Sequence, residues 1–360
     1  MNQLQEKERS RSFEWRNILL NLKGKTRVFT LLLLYTVSAL LLPGVSAAID
    51  TGIVPLCNYE ILSAGTYHNC GVQTDGEVAC WGDDYYFQAF PPQGTFTQVS
   101  GGATHTCGIK TDGTVACWGN SSYDRTNSPA GTFRQISAGG AHTCGVQTNG
   151  IVACWGIGAI IPIPGLEYGQ AVPPAGIFFT QVSAGDSHTC GVQTDGTVTC
   201  WGNPGDPADG RTDPPAGTFT QVSAGRTHTC GVQTDGTVTC WGDDINKQVD
   251  NPFPGDTFTQ VSAGGTHTCG VKTNGAVACW GWNYYHQADP PAGTFTQVSA
   301  GGTHTCGRKT DGTVVCWGEN GSLQATPPDN LLLIDSSLVC TKGQEKGKDL
   351  IWLNLLLDDE

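Results

Sequence analysis

Apolar and polar positions alternate with a period of two over short stretches of this chain, which predicts short β-strands joined by turns. Between Cys190 and Cys200, two valines flank a central Asp195-Gly196. Asp-Gly is a strong hairpin signal, because glycine accepts a positive φ and aspartate can cap its own turn. Upstream of the next such hairpin, Phe219–Ser223 alternates in the manner of a further strand. The pattern predicts at least three short strands per unit.

The cysteine spacing favours one register for the hairpin. A three-residue loop, Thr194-Asp195-Gly196, places Cys190 opposite Cys200 in a non-hydrogen-bonded pair. The Cα atoms of such a pair lie about 4.5–5.5 Å apart, which a disulfide can bridge. A two-residue loop would instead set Cys190 opposite Trp201. The first register also places the cysteines and both valines on one face, where they would pack against a neighbouring sheet.

This unit occurs seven times between Ser63 and Gly318: Ser-Ala-Gly, two variable residues, His-Thr-Cys-Gly, a turn, then Cys-Trp-Gly, with small departures. The repeat histidines are His68, His105, His142, His188, His228, His267 and His304. A period near 40 residues, with strands and glycine-rich turns, is typical of a propeller. Closing seven small sheets into a ring lets each bury its faces against its neighbours. We therefore expect an all-β, seven-bladed β-propeller.

Composition and charge agree with many tight turns and narrow the range of partners. The chain has 49 glycines and 19 prolines among its 360 residues. Residues 1–48 contain 7 of the 19 Lys/Arg and 3 of the 32 Asp/Glu, which leaves 12 basic (19 − 7) and 29 acidic (32 − 3) residues. An acidic surface repels phosphate backbones, so nucleic acid is not an expected partner.

The N-terminus has the layout of an export signal. Basic residues precede an apolar run from Phe29 to Leu42, and Val45-Ser46-Ala47 offers small residues for cleavage. The alternative is an uncleaved membrane anchor, although this run of 14 residues falls short of the ~20 that span a bilayer. We predict a signal peptide or anchor at 1–48, a propeller at 49–335 and a C-terminal tail at 336–360. The expected location is secreted or extracytoplasmic, with membrane contact only if the N-terminal segment is retained.

Sixteen cysteines fit an oxidising compartment. Fourteen recur in the repeats as Cys-x9-Cys, which predicts the pairs Cys70–Cys80, Cys107–Cys117, Cys144–Cys154, Cys190–Cys200, Cys230–Cys240, Cys269–Cys279 and Cys306–Cys316. No Cys-x2-Cys knuckle is present to bind zinc. Cys57 and Cys340 flank the repeats, and we predict that they bridge each other and join the ends of the ring.

The motifs Ser-Ala-Gly-x-x-His-Thr-Cys and Thr-Asp-Gly-x-Val-x-Cys-Trp-Gly closely resemble the repeats of the regulator of chromosome condensation family, over about residues 57–330. The resemblance implies a seven-bladed β-propeller of the regulator-of-chromosome-condensation type. Members of that family include a secreted β-lactamase inhibitor and a founding member that exchanges nucleotide on the small GTPase Ran. This chain departs from the founding member in its export signal, paired cysteines and negative charge.

Two residues that recur in every unit are interpreted as scaffold. We expect each histidine to fix a strand bend by a hydrogen bond within its own blade, rather than to join a metal site on a shared axis. The tryptophan of each Cys-Trp-Gly should bury its large area between blades. No cofactor or metal is expected.

Function should lie where the repeats differ, in the stretches after each Trp-Gly. All these loops should emerge on one face of the disc. Two of them are aromatic and are predicted to bind a protein or glycan partner: Tyr85, Tyr86 and Phe87, and Trp282, Tyr284, Tyr285 and His286. We therefore expect an exported, non-catalytic binding propeller.

Two alternatives remain open. The first is a secreted hydrolase or carbohydrate-active enzyme that uses loop carboxylates such as Asp206, Asp209, Asp243 and Asp244. The second is a guanine-nucleotide exchange regulator of a small GTPase, as in the founding member of the family.

Overall fold

The structure is a computed structural model that describes residues 61–158, 168–203, 205 and 209–335. Its described part contains seven separate antiparallel sheets of three strands each, in sequential order. Each sheet is one blade, numbered 1 to 7 along the chain, and the expected all-β seven-bladed propeller is confirmed.

The strands, three to a blade, are β1 Leu62–Ala64, β2 His68–Val72, β3 Val78–Gly82, β4 Phe96–Gly101, β5 His105–Lys110, β6 Val115–Gly119, β7 Phe133–Ala138, β8 His142–Gln147, β9 Val152–Gly156, β10 Phe179–Ala184, β11 His188–Gln193, β12 Val198–Gly202, β13 Phe219–Ala224, β14 His228–Gln233, β15 Val238–Gly242, β16 Phe258–Ala263, β17 His267–Lys272, β18 Val277–Gly281, β19 Phe295–Ala300, β20 His304–Lys309 and β21 Val314–Gly318. A single 3₁₀ turn at Ser122–Asp124 is the one helical element of the described residues.

The hairpin of each blade has the predicted register. In blade 4, Cys190 pairs with Cys200 and Val192 with Val198, and Gly196 closes the turn at φ +85°. The amide and hydroxyl of Thr197 both donate to the carboxylate of Asp195, at 2.9 and 2.7 Å. All seven repeat pairs form disulfides, with Cα atoms 4.0–4.1 Å apart, slightly closer than the pairing geometry alone indicates.

In the first strand of a blade, interior and exterior side chains do not alternate regularly along the whole strand. In β13 the pairing register shifts between Phe219 and Gln221, which is a β-bulge. The extra residue brings Phe219 and Val222, three positions apart, into the interior together, and both are buried. Gly231 on β14 leaves room for the ring of Phe219, because a Cβ there would lie 2.6 Å from its Cδ1.

Neighbouring blades pack through one small core per interface. The core between blades 4 and 5 combines Cys190 and Val192 with Phe219, Val222 and Trp241. Five of the seven repeat tryptophans are buried and the other two are half-buried, at the predicted position between blades. Burying these aromatic side chains compensates for cores that contain few leucines.

A ring of backbone hydrogen bonds joins the seven blades around the central axis. A turn joins the first two strands of each blade. The amide of the first variable residue in this turn donates to a glycine carbonyl of the next blade, as the amide of Thr66 donates to Gly102 at 3.1 Å. The ring closes where Gly302 of blade 7 donates to Gly65 of blade 1. A Cβ on Gly102 would lie 2.4 Å from the carbonyl oxygen of Gly139, so the Ser-Ala-Gly glycine is required by this close approach.

The chain also closes the ring with a segment beyond blade 7. In blades 2 to 7 the amide of the first-strand phenylalanine donates to the hairpin glycine of the previous blade. The amide of Leu333 likewise donates to the carbonyl of Gly312 in blade 7. The side chain of Leu333 covers Gly71 of blade 1, just as the first-strand phenylalanine covers the equivalent glycine in the other blades. The amide of Ile334 then donates to Val72 at 3.0 Å. We call Leu331–Ile334 the closing segment.

Several predictions lie outside the described residues. They are the signal peptide or anchor at 1–48, the tail at 336–360 and the bridge between Cys57 and Cys340. No helix in the described part of the chain is long and apolar enough to cross a membrane.

Candidate functional site

The seven repeat histidines are structural, as predicted. The prediction that each forms a hydrogen bond within its own blade is wrong, because each bonds to the next blade. Each is fully buried, and in six blades its Nε2 lies 2.7–2.8 Å from the threonine hydroxyl of the next blade, as in His188 to Thr229. His304 completes the circle through Oδ1 of Asn69, at 2.7 Å. The imidazoles thus join blades in pairs instead of converging on one axial point.

The partners of five of these histidines, His68, His142, His228, His267 and His304, fix the tautomer. The hydroxyl of Thr106 donates to the carbonyl of Gln88, so its oxygen accepts the Nε2 proton of His68. Asn69 likewise offers only an acceptor to His304. Nδ1 is therefore unprotonated in these five, and it has no hydrogen-bond partner in any of the seven. Burial lowers the pKa of His68 and His228 to about 4, of four others to about 3, and of His105 well below its ordinary value.

The variable loops all leave the ring on the face that carries the axial turns. Each loop begins with an amide that donates to the turn of its own blade, as Asp83 donates to Tyr67 and Trp282 to Thr266, both at 2.9 Å. The hairpins lie at the other end of the strands. The predicted common emergence of the loops therefore follows from the strand order. We call this surface the loop face, and the opposite one the hairpin face.

A glutamine or arginine anchors each loop to the following blade. Its carbonyl accepts the indole N–H of that blade's tryptophan at 2.9–3.1 Å, as from Trp118 to Gln88. The residue before this anchor has a positive φ in all seven loops. It is Gly169 or Gly210 in two of them, and Phe87, Asp124, Lys247, His286 or Leu323 in the other five.

The first aromatic loop exposes its side chains to solvent. Tyr85 is 79% exposed and packs edge-on against Tyr86 at 4.8 Å between ring centroids. Phe87 follows and is 69% exposed. Asp84 caps the loop by accepting the amide of Ala89 at 2.8 Å. These rings therefore project from the blade instead of folding back on it.

The second aromatic loop forms a small stack. Trp282 lies parallel to Tyr284 with ring centroids 6.0 Å apart, and Tyr285 meets both edge-on. Tyr284 is 73% exposed. His286 is paired with Asp289, Nδ1 to Oδ2, at 2.8 Å. The stack gives this loop a preformed aromatic surface.

A cavity of about 420 Å³ opens on the axis in the middle of the loop face. Its wall consists mainly of alanines and glycines of the axial turns, and its lining includes Tyr67, Asp186, Arg226 and Trp282. Sequence reasoning did not identify this cavity. The available signal was the variable pair in Ser-Ala-Gly-x-x-His, since only there do the turns carry aromatic or charged residues.

The loop carboxylates serve the loops themselves. Asp243 accepts the amide of Ile245, and Asp244 accepts those of Val249 and Asp250 and pairs with Lys247. Asp209 pairs with Arg211 at 2.6 Å, and Asp206 lies outside the described residues. Within the described part of the chain, no group of three or more His, Cys, Asp or Glu side chains is placed to hold a metal ion.

The sequence profile described as "Regulator of chromosome condensation (RCC1) repeat" matches six segments: 61–88, 96–125, 179–206, 219–248, 258–287 and 295–324. Blade 3 is the one without a match. Among curated proteins, none matches the chain.

Similar solved structures include the CRINKLY WD40 ectodomain of the Arabidopsis thaliana receptor kinase ACR4, at 25% identity and TM-score 0.60, covering 75% of this chain and 98% of that one. The ectodomain of the Physcomitrella patens receptor kinase CR4 is 26% identical, with TM-score 0.59, covering 71% and 72%. Prp20p of Saccharomyces cerevisiae is 14% identical, with TM-score 0.55, covering 66% and 75%, and shares the fold.

Proposed function

The chain belongs to the regulator of chromosome condensation repeat family, and we propose that it is an exported, non-catalytic propeller that binds a protein partner through its loop face. The observation that carries this proposal is the pair of aromatic loops, both exposed on the same face and separated by a single blade. Exposed aromatic clusters of this kind are suited to contact surfaces, because they bury a large area for little lost side-chain entropy.

Two observations support a location outside the cytoplasm. The seven hairpin disulfides need an oxidising compartment to persist, and both receptor-kinase structures are ectodomains. We propose residues 1–48 as the removed signal, 49–335 as the propeller and 336–360 as the tail. N-terminal sequencing of the exported protein should then begin near residue 49, and recovery of the intact N-terminus outside the cell would contradict the proposal.

Neither alternative function has a specific observation in its favour. The loop aspartates that a hydrolase would need already cap turns or pair with arginine and lysine. Prp20p, whose binding to Gsp1p and histones has been characterised, shares only the fold with this chain.

The test compares two sets of five alanine substitutions. The loop-face variant replaces Tyr85, Tyr86, Trp282, Tyr284 and Tyr285. The control replaces exposed threonines of the hairpin face: Thr95, Thr148, Thr234, Thr273 and Thr310. Wild-type and variant proteins are used to capture partners from extracytoplasmic material, and bands are quantified. Loss of a captured protein by the loop-face variant alone is expected, and equal capture by both variants would refute the proposal.

A further inference from the structure

Three consecutive blades carry exposed apolar side chains on the loop face. The indole of Trp317 in blade 7 binds the blade 6 loop at Gln287, and that of Trp81 in blade 1 binds the blade 7 loop at Gln324. The blade 7 loop therefore lies between the two aromatic loops. It contributes Leu323, which is 64% exposed. We call Tyr85, Tyr86, Phe87, Tyr284, Tyr285 and Leu323 the aromatic arc.

Two members of the arc stand where the backbone favours glycine. Phe87 and Leu323 have φ values of +62° and +61°, and the equivalent residues of blades 3 and 4 are glycines with similar φ. Asp124, Lys247 and His286 have the same left-handed conformation at this position in three other loops, so the strain is not peculiar to the arc; Phe87 and Leu323 are the two apolar residues that adopt it. Neither side chain is buried, so packing within the propeller does not account for its presence.

The loops that carry the arc are acidic. The parts of its three loops next to the arc, residues 83–89, 282–289 and 319–325, contain four carboxylates, Asp83, Asp84, Asp289 and Glu319, and no lysine or arginine. Tyrosine and phenylalanine faces attract cations, and the surrounding carboxylates add a favourable field. The arc is complementary to a basic surface.

We propose that the aromatic arc is the contact surface for a lysine- or arginine-rich segment of a protein partner. This inference rests on the proposed function and specifies the partner's chemistry. The cationic groups lie over the exposed ring faces, and the aliphatic stems of lysine and arginine cover the apolar edges. The carboxylates attract the basic segment to this side of the face, and the exposed rings place its contact on the arc.

The first experiment defines the chemistry of the ligand. A phage-displayed library of random dodecapeptides is selected on the oxidised wild-type protein, with the five-alanine loop-face variant as counter-selection. Retained peptides enriched in lysine and arginine, whose affinity falls as salt is raised, are expected. Neutral or acidic peptides, no enriched peptide, or retention of glycans alone on an array would each overturn the proposal.

The second experiment separates binding from folding. Phe87→Gly and Leu323→Gly relieve backbone strain and should not lower the melting temperature, yet should weaken the selected basic peptide about tenfold or more. The matched controls Asp124→Gly and Lys247→Gly relieve the same strain outside the arc and should leave the affinity unchanged. If the control variants lose affinity and the arc variants do not, the arc is not the contact surface for the basic segment. The proposal that the loop face binds a partner would still stand. If basic peptides bind wild type and the five-alanine variant equally, both proposals fail.

Discussion

Acidification from about pH 8 to about pH 5.5 is expected to remove much of the stability of this propeller, because seven histidines are buried as neutral imidazoles. In the unfolded chain each titrates near its ordinary pKa of about 6.5. In the folded chain burial lowers the pKa to about 4 or about 3, and in His105 well below the usual value. Between these values unfolding takes up protons, so stability falls as the pH falls.

The size of the effect follows from the number of buried imidazoles. At pH 5.5 an unfolded histidine binds about 0.9 proton and a buried one almost none, so unfolding takes up about six protons. Each histidine then costs between about 1 and 2 kcal/mol relative to pH 8, or about 10 kcal/mol for seven. Since a domain's total stability is typically about 5–15 kcal/mol, the folded state becomes marginal near pH 5.5.

The assay is urea unfolding of the oxidised protein at constant ionic strength, followed by fluorescence of the interblade tryptophans. Calorimetry in buffers of different ionisation enthalpy measures the proton uptake. His228→Asn should reduce that uptake by about one proton. The same urea midpoint at both pH values, or an uptake near one proton, would refute the argument.

Three further changes probe the ring. Gly102→Ala sets a Cβ against the carbonyl of Gly139 and should lower the free energy of unfolding by about 2–4 kcal/mol in denaturant titrations. The control Gly321→Ala, whose Cβ meets only a side-chain oxygen at 3.6 Å, should leave that free energy unchanged. Leu333→Ala should cost about 2–4 kcal/mol and expose the blade 1–blade 7 seam to protease, and Leu332→Ala, at a half-exposed neighbour, should not; equal effects would contradict the closing role. Replacing the Cys190–Cys200 disulfide by two alanines should cost about 3 kcal/mol, measured by the melting temperature, and an unchanged value would show the link to be dispensable.

The sequence was sufficient for the features that repeat. The fixed Cys-x9-Cys spacing around Asp-Gly determined the hairpin register, and the period near 40 determined the fold. What it did not reveal are contacts between units. The β-bulge beside Phe219 breaks the simple alternation, and its signal, a three-residue spacing to Val222, is meaningful only once the partner strand is known.

The histidines also show the difference between features within a repeat, which the sequence predicts, and contacts between repeats, which it does not. A residue at the same place in every unit is equally consistent with a bond inside its blade or to the next one, and only the ring geometry decides. Asn69, which replaces threonine in blade 1, was a usable signal, because both side chains offer an oxygen acceptor. The axial cavity required the turns of all seven blades to be brought together, which no single repeat encodes.

The closing segment imposes an order on biosynthesis. Each hairpin disulfide joins cysteines ten positions apart and can be oxidised as soon as that hairpin has been made. The hydrophobic slot over Gly71, in contrast, stays unfilled until Leu333, some 260 residues downstream, has been synthesised. A nascent chain therefore accumulates blades that are disulfide-bonded but incompletely covered. A premature stop before the closing segment leaves an apolar edge of blade 1 exposed to solvent and prone to aggregation.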